Sequence, residues 1–227
     1  MTISLNIVSN GAEASLTLDA NQLVIAGWAG RDKAAMEHHI RELEELGVPR
    51  PKETPTFYRV ASSRLTTDPA IQASGDASSG EVEPVIVASG GKLFVGIGSD
   101  HTDRQLETHG VAFSKQICDK PVSTTLWPYE EVVDHWDQLI MRSYIVEDGK
   151  SVLYQEGTLD GLLHPEDTMA RLTGETPLED GTVLFCGTVP ALGGIRPAPR
   201  FMAELVDPVL SRKISLRYDI EVLPVAG

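Results

Sequence analysis

The chain has 227 residues, 41% hydrophobic and 23% charged, the make-up of a soluble globular protein with material for a substantial core. Its net charge of −14 excludes a nucleic-acid-binding role, because phosphate backbones require a basic face. Two cysteines are too few for a disulfide framework and fit a reducing cytoplasm; Met1 to Asn10 lacks a signal-peptide pattern, and no apolar run reaches bilayer length, so no membrane role is expected.

Residues 3–27 read as β structure. Ser4 to Val8 alternates, Asn10-Gly11 signals a turn, Ala14 to Leu18 follows, and Gln22 to Gly27 closes a small meander. This meander, over 1–29, is expected to edge the main core over 30–227 within a single domain. Residues 31–47 are the clearest helix. Ala35, Met36, Ile40, Leu43 and Leu46 recur at helical spacing, Gly47 is a C-cap signal, and Pro49 and Pro51 end it. His39 and Glu42 are three apart and share a helix face. A carboxylate there can orient an imidazole that takes a proton from water; the same pair also fits a plain solvated face. Thr67 to Pro69 and Ser74 to Gly80 are turn-rich connectors.

Glu81 and Glu83 stand at i and i+2, so in a strand they point the same way. The strand runs on through Pro84 to Ala88, Gly90-Gly91 suits a two-residue hairpin loop, and Leu93 to Gly98 returns. This turn sets Ser89 opposite Lys92, Glu83 opposite Gly98 and Glu81 opposite Asp100. Three carboxylates then converge on a face that also carries Val85, Val87 and Phe94. Like charges opposed in a sheet repel, and buried carboxylates need a cation. Gly96 and Gly98 leave room for one beside them. Mg²⁺ or Mn²⁺ suits such a hard oxygen set. The pattern also fits an exposed acidic strand end, and His101 beside Asp100 leaves zinc open.

Further along, residues 135–146 are an apolar run expected to form a central strand. Pro165 to Leu172 reads as a short helix with proline in its first turn. Thr182 to Cys186 is a buried strand leading into Gly187-Thr188, and Lys213 to Leu223 alternates as a closing strand.

Five short segments resemble the fumarylacetoacetate hydrolase superfamily, and within it the branch DUF2848. They are Glu81-Val82-Glu83; Asp100-His101-Thr102-Asp103-Arg104; Lys115 ahead of Pro121-Val122-Ser123; Gln155-Glu156-Gly157-Thr158; and Leu178 through Thr188. Phe57-Tyr58-Arg59-Val60 with Ser62-Ser63 is similar to another family segment, with Arg59 where relatives have Lys. The resemblance implies an α+β, β-rich fold, a mixed β-sandwich or roll with peripheral helices, that forms a homodimer. It implies Mg²⁺ or Mn²⁺ on Glu81, Glu83 and Asp100 and a small carboxylic acid as substrate. His39, oriented by Glu42, would activate water, with His38 as the alternative histidine, and Lys115 would neutralise substrate oxygens. Arg59, Arg104, Gln155 and Thr188 would bind substrate. The implied activity is hydrolysis of a C–C bond in a 2-oxo or 1,3-dicarbonyl acid through an enolate. Isomerases, decarboxylases and dehydratases of the superfamily share that chemistry without water attack. A protein that only binds a small carboxylate is the alternative of another class.

Overall fold

The structure, a computed structural model, describes residues 1–45, 47, 50–174 and 176–226, with all their side chains except those of His39, Glu42 and Leu43. β1 (Thr2–Ser9) and β2 (Ala12–Asp19) form a hairpin, with Ile3 opposite Leu18 and Leu5 opposite Leu16. β3 (Gln22–Gly27) does not complete a meander with them. It crosses the sheet to pair in parallel with Thr182–Phe185, and antiparallel with β4 (Thr56–Val60). The reason is its four consecutive buried residues, Leu23 to Ala26. Such a run needs cover on both faces, which an edge strand does not have. Between them lies α1 (Lys33–Glu45), capped by Asp32, whose Oδ1 accepts from the backbone N–H of Ala34 and Ala35.

Next come the short β5 (Leu65–Thr66), β6 (Ala70–Ser74) and β7 (Ser78–Ser79), then the long hairpin of β8 (Val82–Ser89) and β9 (Lys92–Ser99). β6 was hidden between the two turn-rich connectors. After β10 (Thr102–Asp103), two short helices, α2 (Arg104–Glu107) and α3 (Val111–Gln116), lead to β11 (Lys120–Pro121) and β12 (Thr125–Pro128). The apolar run over 135–146 is split. Its first part belongs to a 3₁₀ segment, Val133–Gln138, and only Ile140–Glu147 is strand, β13. Val132, Trp136 and Leu139 are the buried residues there, at spacings of four and three, a helical rhythm and not an alternating one. β14 (Lys150–Thr158), α4 (Pro165–Thr173), β15 (Thr182–Phe185), β16 (Arg200–Asp207) and β17 (Arg212–Leu223) complete the chain.

The strands form an eight-stranded sheet, in the order β2-β1-β12-β9-β8-β15-β3-β4, and a five-stranded sheet, β14-β13-β16-β17-β6. One core lies between them. Val24, Ile86, Val95 and Trp127 of the large sheet meet Met141, Phe201, Leu205 and Tyr218 of the small one. A second core fills the other face of the large sheet, with Leu5, Ile25, Val85, Phe94 and Phe185. β8 serves both, Ile86 facing one core and Val85 and Val87 the other, so the period of two decides where Glu83 points. Among the described residues, no helix is long and apolar enough to cross a membrane.

Candidate active site

The site is built on the β8–β9 hairpin. Gly90 and Gly91 have φ of 61° and 70°, the left-handed conformation that both loop residues of this tight turn need. The register is the one expected: Ser89 pairs with Lys92 and Glu83 with Gly98. Just past the paired strands, the Asp100 N–H donates to the Glu81 carbonyl at 3.0 Å. Glu81, Glu83 and Asp100 each offer a carboxylate oxygen, all within 4.8 Å of one another, and this group can hold a metal ion. The glycines do not leave space beside it, contrary to the sequence expectation. A Cβ on Gly98 would meet Phe185 at 2.6 Å, and one on Gly96 would meet Leu126 at 2.7 Å, so their lack of side chains serves packing.

Three cations surround the carboxylates. The buried Lys115 ammonium donates to Asp100 Oδ2, and Lys120 Nζ lies 3.7 Å from Oδ1. Arg104 sits 3.3 Å from Glu81 Oε1 and 3.1 Å from Glu107 Oε2, with Nε donating to Ser79 Oγ at 2.8 Å. Burial pushes the Asp100 carboxyl up, but the two lysine charges and the Lys115 hydrogen bond outweigh it and hold it below the usual range. Burial also disfavours the Lys115 charge, yet Asp100, Glu81 and Glu107 raise it, so the ammonium stays protonated. Glu83 differs. Burial and then the Asp100 charge push it well above the ordinary carboxylate value, despite Lys115 and a 2.7 Å bond from the Gly187 N–H to Oε2.

A deeper layer fixes these groups. Lys120 is fully buried and donates to the carbonyls of His101 (2.8 Å), Lys115 (2.5 Å) and Cys118 (2.8 Å), which pins the segment after α3. His101 turns away from the carboxylates. Its Nδ1 is 3.0 Å from the Tyr218 hydroxyl and its Nε2 2.9 Å from Ser78 Oγ. Burial, with Lys120 and Arg104 nearby, pulls its pKa down to about 3 and keeps it neutral. With both ring nitrogens engaged there, His101 does not join the carboxylate group.

Gln155, on β14, is a hub. Its Oε1 accepts from the Val82 N–H and Ser143 Oγ, and its Nε2 donates to Thr188 Oγ1 and the Val189 carbonyl. Thr188 Oγ1 in turn donates to the Val82 carbonyl at 2.7 Å. This ties the Gly187-Thr188 loop to the start of β8. Gly187 has a φ of 96°, and a Cβ there would meet that of Ala29 at 2.8 Å.

These groups floor a cavity of about 690 Å³. Glu81, Glu83, Arg104, Lys115, Gln155 and Thr188 all line it, and Asp100 lies fully buried behind. Arg59 does not line it. β4 alternates, so Tyr58 faces the cavity and Arg59 is exposed on the other side. The side chains of His39 and Glu42 lie outside the described residues. Their helix borders the cavity through Asp32, Ala35 and Met36, while His38 is exposed. Sequence reasoning gave no part to Trp28, Tyr58, Glu107 or Lys120. The one available signal for Trp28 was an aromatic residue directly after a buried apolar strand. Lys120 is held by three backbone carbonyls, which leave no mark in a sequence, beside its ion pair with Asp100.

The family described as "Protein of unknown function (DUF2848)" matches residues 26–218. The chain belongs to the DUF2848 family. The structure of this DUF2848 chain has the fold of the fumarylacetoacetate hydrolase superfamily. It is similar to 2-keto-3-deoxy-D-arabinonate dehydratase complexed with magnesium and 2,5-dioxopentanoate, with TM-score 0.65 and 16% identity over 91% of this chain and 75% of that one. A yeast fumarylacetoacetate hydrolase family protein gives 0.63 at 16% identity, over 91% and 95%. The 4-oxalocrotonate decarboxylase of Pseudomonas putida G7, complexed with calcium and acetate, gives 0.57 at 16%, over 87% and 76%. No curated protein matches the DUF2848 chain by sequence.

Proposed function

We propose that this chain is a divalent-metal-dependent enzyme acting on a small 2-oxo acid through its enolate, in a lyase-type reaction such as dehydration or decarboxylation. The observation that carries this reading is the meeting of Glu81, Glu83 and Asp100 at the cavity floor with Lys115 beside them. The donor set fits a hard divalent cation. It is all oxygen, and Glu83 is pushed toward its neutral form by burial and then by the Asp100 charge, a cost that a bound cation would relieve. When bound, such a cation supplies Lewis-acid stabilisation of charge developing on substrate oxygens.

The chain's own groups supply the rest. Lys115 stays protonated, so it acts as a fixed positive charge beside the substrate and not as a base. Arg104 holds Glu81 and Glu107 at the cavity wall, where Glu107, outside the metal-ligand group, is placed to take a proton from substrate. The Gly187 N–H and the Gln155–Thr188 contacts keep Glu83 and its loop in place.

The lyase reading is favoured because the similar structures include a dehydratase and a decarboxylase. C–C bond hydrolysis is the second reading. It is favoured by α1 bordering the cavity, with His39 and Glu42 then serving as the water-activating pair.

Enolate formation, common to both readings, is tested by exchange. With Mg²⁺ in D₂O, the C3 hydrogens of 2-oxobutyrate are expected to exchange in the presence of the wild type, followed by proton NMR, and at least about 100-fold more slowly with Glu83→Gln. Exchange no faster than in buffer would overturn the enzyme reading and leave a carboxylate-binding protein. A His39→Ala variant that keeps exchange but loses acylpyruvate cleavage would favour the hydrolase.

A further inference from the structure

The cavity has two unlike ends. Its basic groups gather at the floor and are already engaged, Arg104 with Glu81 and Glu107 and Lys115 with Asp100, while Asp32, one turn before Met36, caps α1. Four lining residues are acidic (Asp32, Glu81, Glu83, Glu107) and two are basic, Arg104 and Lys115. Among the described residues, no basic side chain lines the cavity away from that floor. The remaining wall is mostly apolar, with Trp28, Met36, Leu162 and Ile195, while the Tyr58 ring lies 5.6 Å from Lys115 Nζ at the floor. A second carboxylate on a ligand would meet this acidic, cation-poor lining without a partner.

Trp28 adds a second, independent observation. It has a φ of 60°, in the left-handed region that a bulky side chain adopts only against a steric penalty. A glycine would take this backbone freely. What tryptophan brings instead is an indole on the cavity wall. Strain of this kind persists where the surroundings impose it and gathers at ligand sites.

We infer that the cavity takes a 2-oxo acid whose far end is an unbranched alkyl chain or an aromatic ring with no second acid group, and that Trp28 is the residue selecting for it. This rests on the floor binding the 2-oxo acid head, as in the proposed function. The head sits over the carboxylates and Lys115, and the tail lies along Trp28 and Met36. A distal carboxylate, as in 2-oxoglutarate, is disfavoured, because no cation lines that wall among the described residues; the group lost in a lyase reaction stays beside the head.

The test compares pyruvate, 2-oxobutyrate, 2-oxohexanoate, phenylpyruvate and 2-oxoglutarate by tryptophan fluorescence and calorimetric titration with Mg²⁺ present. Trp127 and Trp136 are 1% and 2% exposed, so a change in emission on binding reports Trp28. Affinity is expected to rise about fourfold per added methylene from pyruvate to 2-oxohexanoate. Phenylpyruvate should also bind more tightly than pyruvate, and 2-oxoglutarate no more tightly than pyruvate. Trp28→Ala should weaken phenylpyruvate at least tenfold more than it weakens pyruvate. Met36→Lys should shift the preference toward 2-oxoglutarate. Pyruvate binding with no gain along the alkyl series, or 2-oxoglutarate binding most tightly to the wild type, would overturn the inference while leaving the head site standing. No binding of any of these acids would overturn both.

Discussion

Lys115 and Asp100 share a hydrogen bond inside the protein, the ammonium donating to Oδ2 of a carboxylate with no solvent exposure. The pair brings α3 against the end of the β8–β9 hairpin. With Lys120 it keeps Asp100 ionised, and with Glu81 and Glu107 it keeps Lys115 protonated.

Breaking this pair from one side should be costly. Lys115→Met would strand the Asp100 charge with Lys120, 3.7 Å away, and Arg104 to balance it. Removing one partner of a buried pair costs about 3–5 kcal/mol, and Lys120 places the expectation at the lower end. Adding Asp100→Asn to Lys115→Met should recover part of the loss, because the stranded carboxylate is removed, while Lys120 keeps its three carbonyl acceptors. Urea unfolding of the two single variants and the double variant measures this. A Lys115→Met loss below about 1 kcal/mol would mean that the pair does not hold the site.

Glu83 should show the opposite balance. It is buried against Asp100 and pushed toward its neutral form, so the unliganded protein carries strain there. Glu83→Gln removes the charge and can keep an oxygen for the Gly187 N–H. It should leave unliganded stability unchanged or raise it by about 1 kcal/mol. The same change should lower Mg²⁺ affinity by more than about 100-fold. Thermal melts with and without Mg²⁺ give both answers. A variant less stable than wild type in the absence of metal, or one still stabilised fully by Mg²⁺, would count against Glu83 as a ligand.

Away from the site, Asp207 ties the β16–β17 turn to the 3₁₀ segment Val133–Gln138. Its Oδ1 accepts from the Val209 and Leu210 N–H groups, each at 3.0 Å, and lies 3.0 Å from His135 Nε2; Arg212 Nε donates to Oδ2 at 3.1 Å. Burial pushes the carboxyl up, but the Leu210 N–H, His135 and Arg212 outweigh it and lower its pKa. A lowered folded pKa contributes stability above the unfolded value, about 3.9, which is lost as pH falls through the folded value. Asp207→Asn should therefore cost about 2–3 kcal/mol at pH 7, with the gap to wild type closing below about pH 4. Unfolding curves at pH 7 and pH 3 measure the gap, and a constant difference would show that the Asp207 charge contributes nothing.

The hairpin was legible in the sequence because two short-range rules act together. Gly90-Gly91 fixes the register, and the period of two then assigns Glu83 to the face of Val85 and Val87. Closing strand β17 and helix α4 were legible for similar local reasons, a clean alternation and a proline at the first turn. β3 was misplaced because the run from Leu23 to Ala26 was read as the end of a local meander. Four successive apolar residues indicate burial on both faces but do not say which distant strand provides the cover. The role of Gly96 and Gly98 was missed because it depends on Leu126 and Phe185, side chains on other strands. Arg59 was selected by its place in a motif, while the pleat of β4 turned it outward.

Gln155 shows how much of the site depends on a residue that need not react. It joins Val82 at the start of β8, Ser143 on β13 and the loop from Gly187 to Val189 through four hydrogen bonds, in a position with 1% exposure. In Gln155→Leu the apolar volume is largely kept, but the Val82 N–H loses its acceptor, and Thr188 Oγ1 and the Val189 carbonyl lose a donor. Unsatisfied buried groups cost about 1–3 kcal/mol each, and loop relaxation would recover part, so a net loss of about 2–4 kcal/mol is expected. Because Gly187 holds Glu83 from the same loop, the effect should also reach the carboxylates. Mg²⁺ affinity is expected to fall by about 10-fold to 100-fold in Gln155→Leu, although Gln155 carries no charge. Gln155→Glu preserves the acceptor and loses the donor, so its Val82 and Ser143 contacts should survive while the loop contacts fail. Hydrogen exchange at Gly187 together with Mg²⁺ titration separates these effects. If Gly187 becomes more exchangeable while Mg²⁺ affinity is unchanged, the loop does not govern the carboxylate group, and Gln155 is a bond of the fold alone.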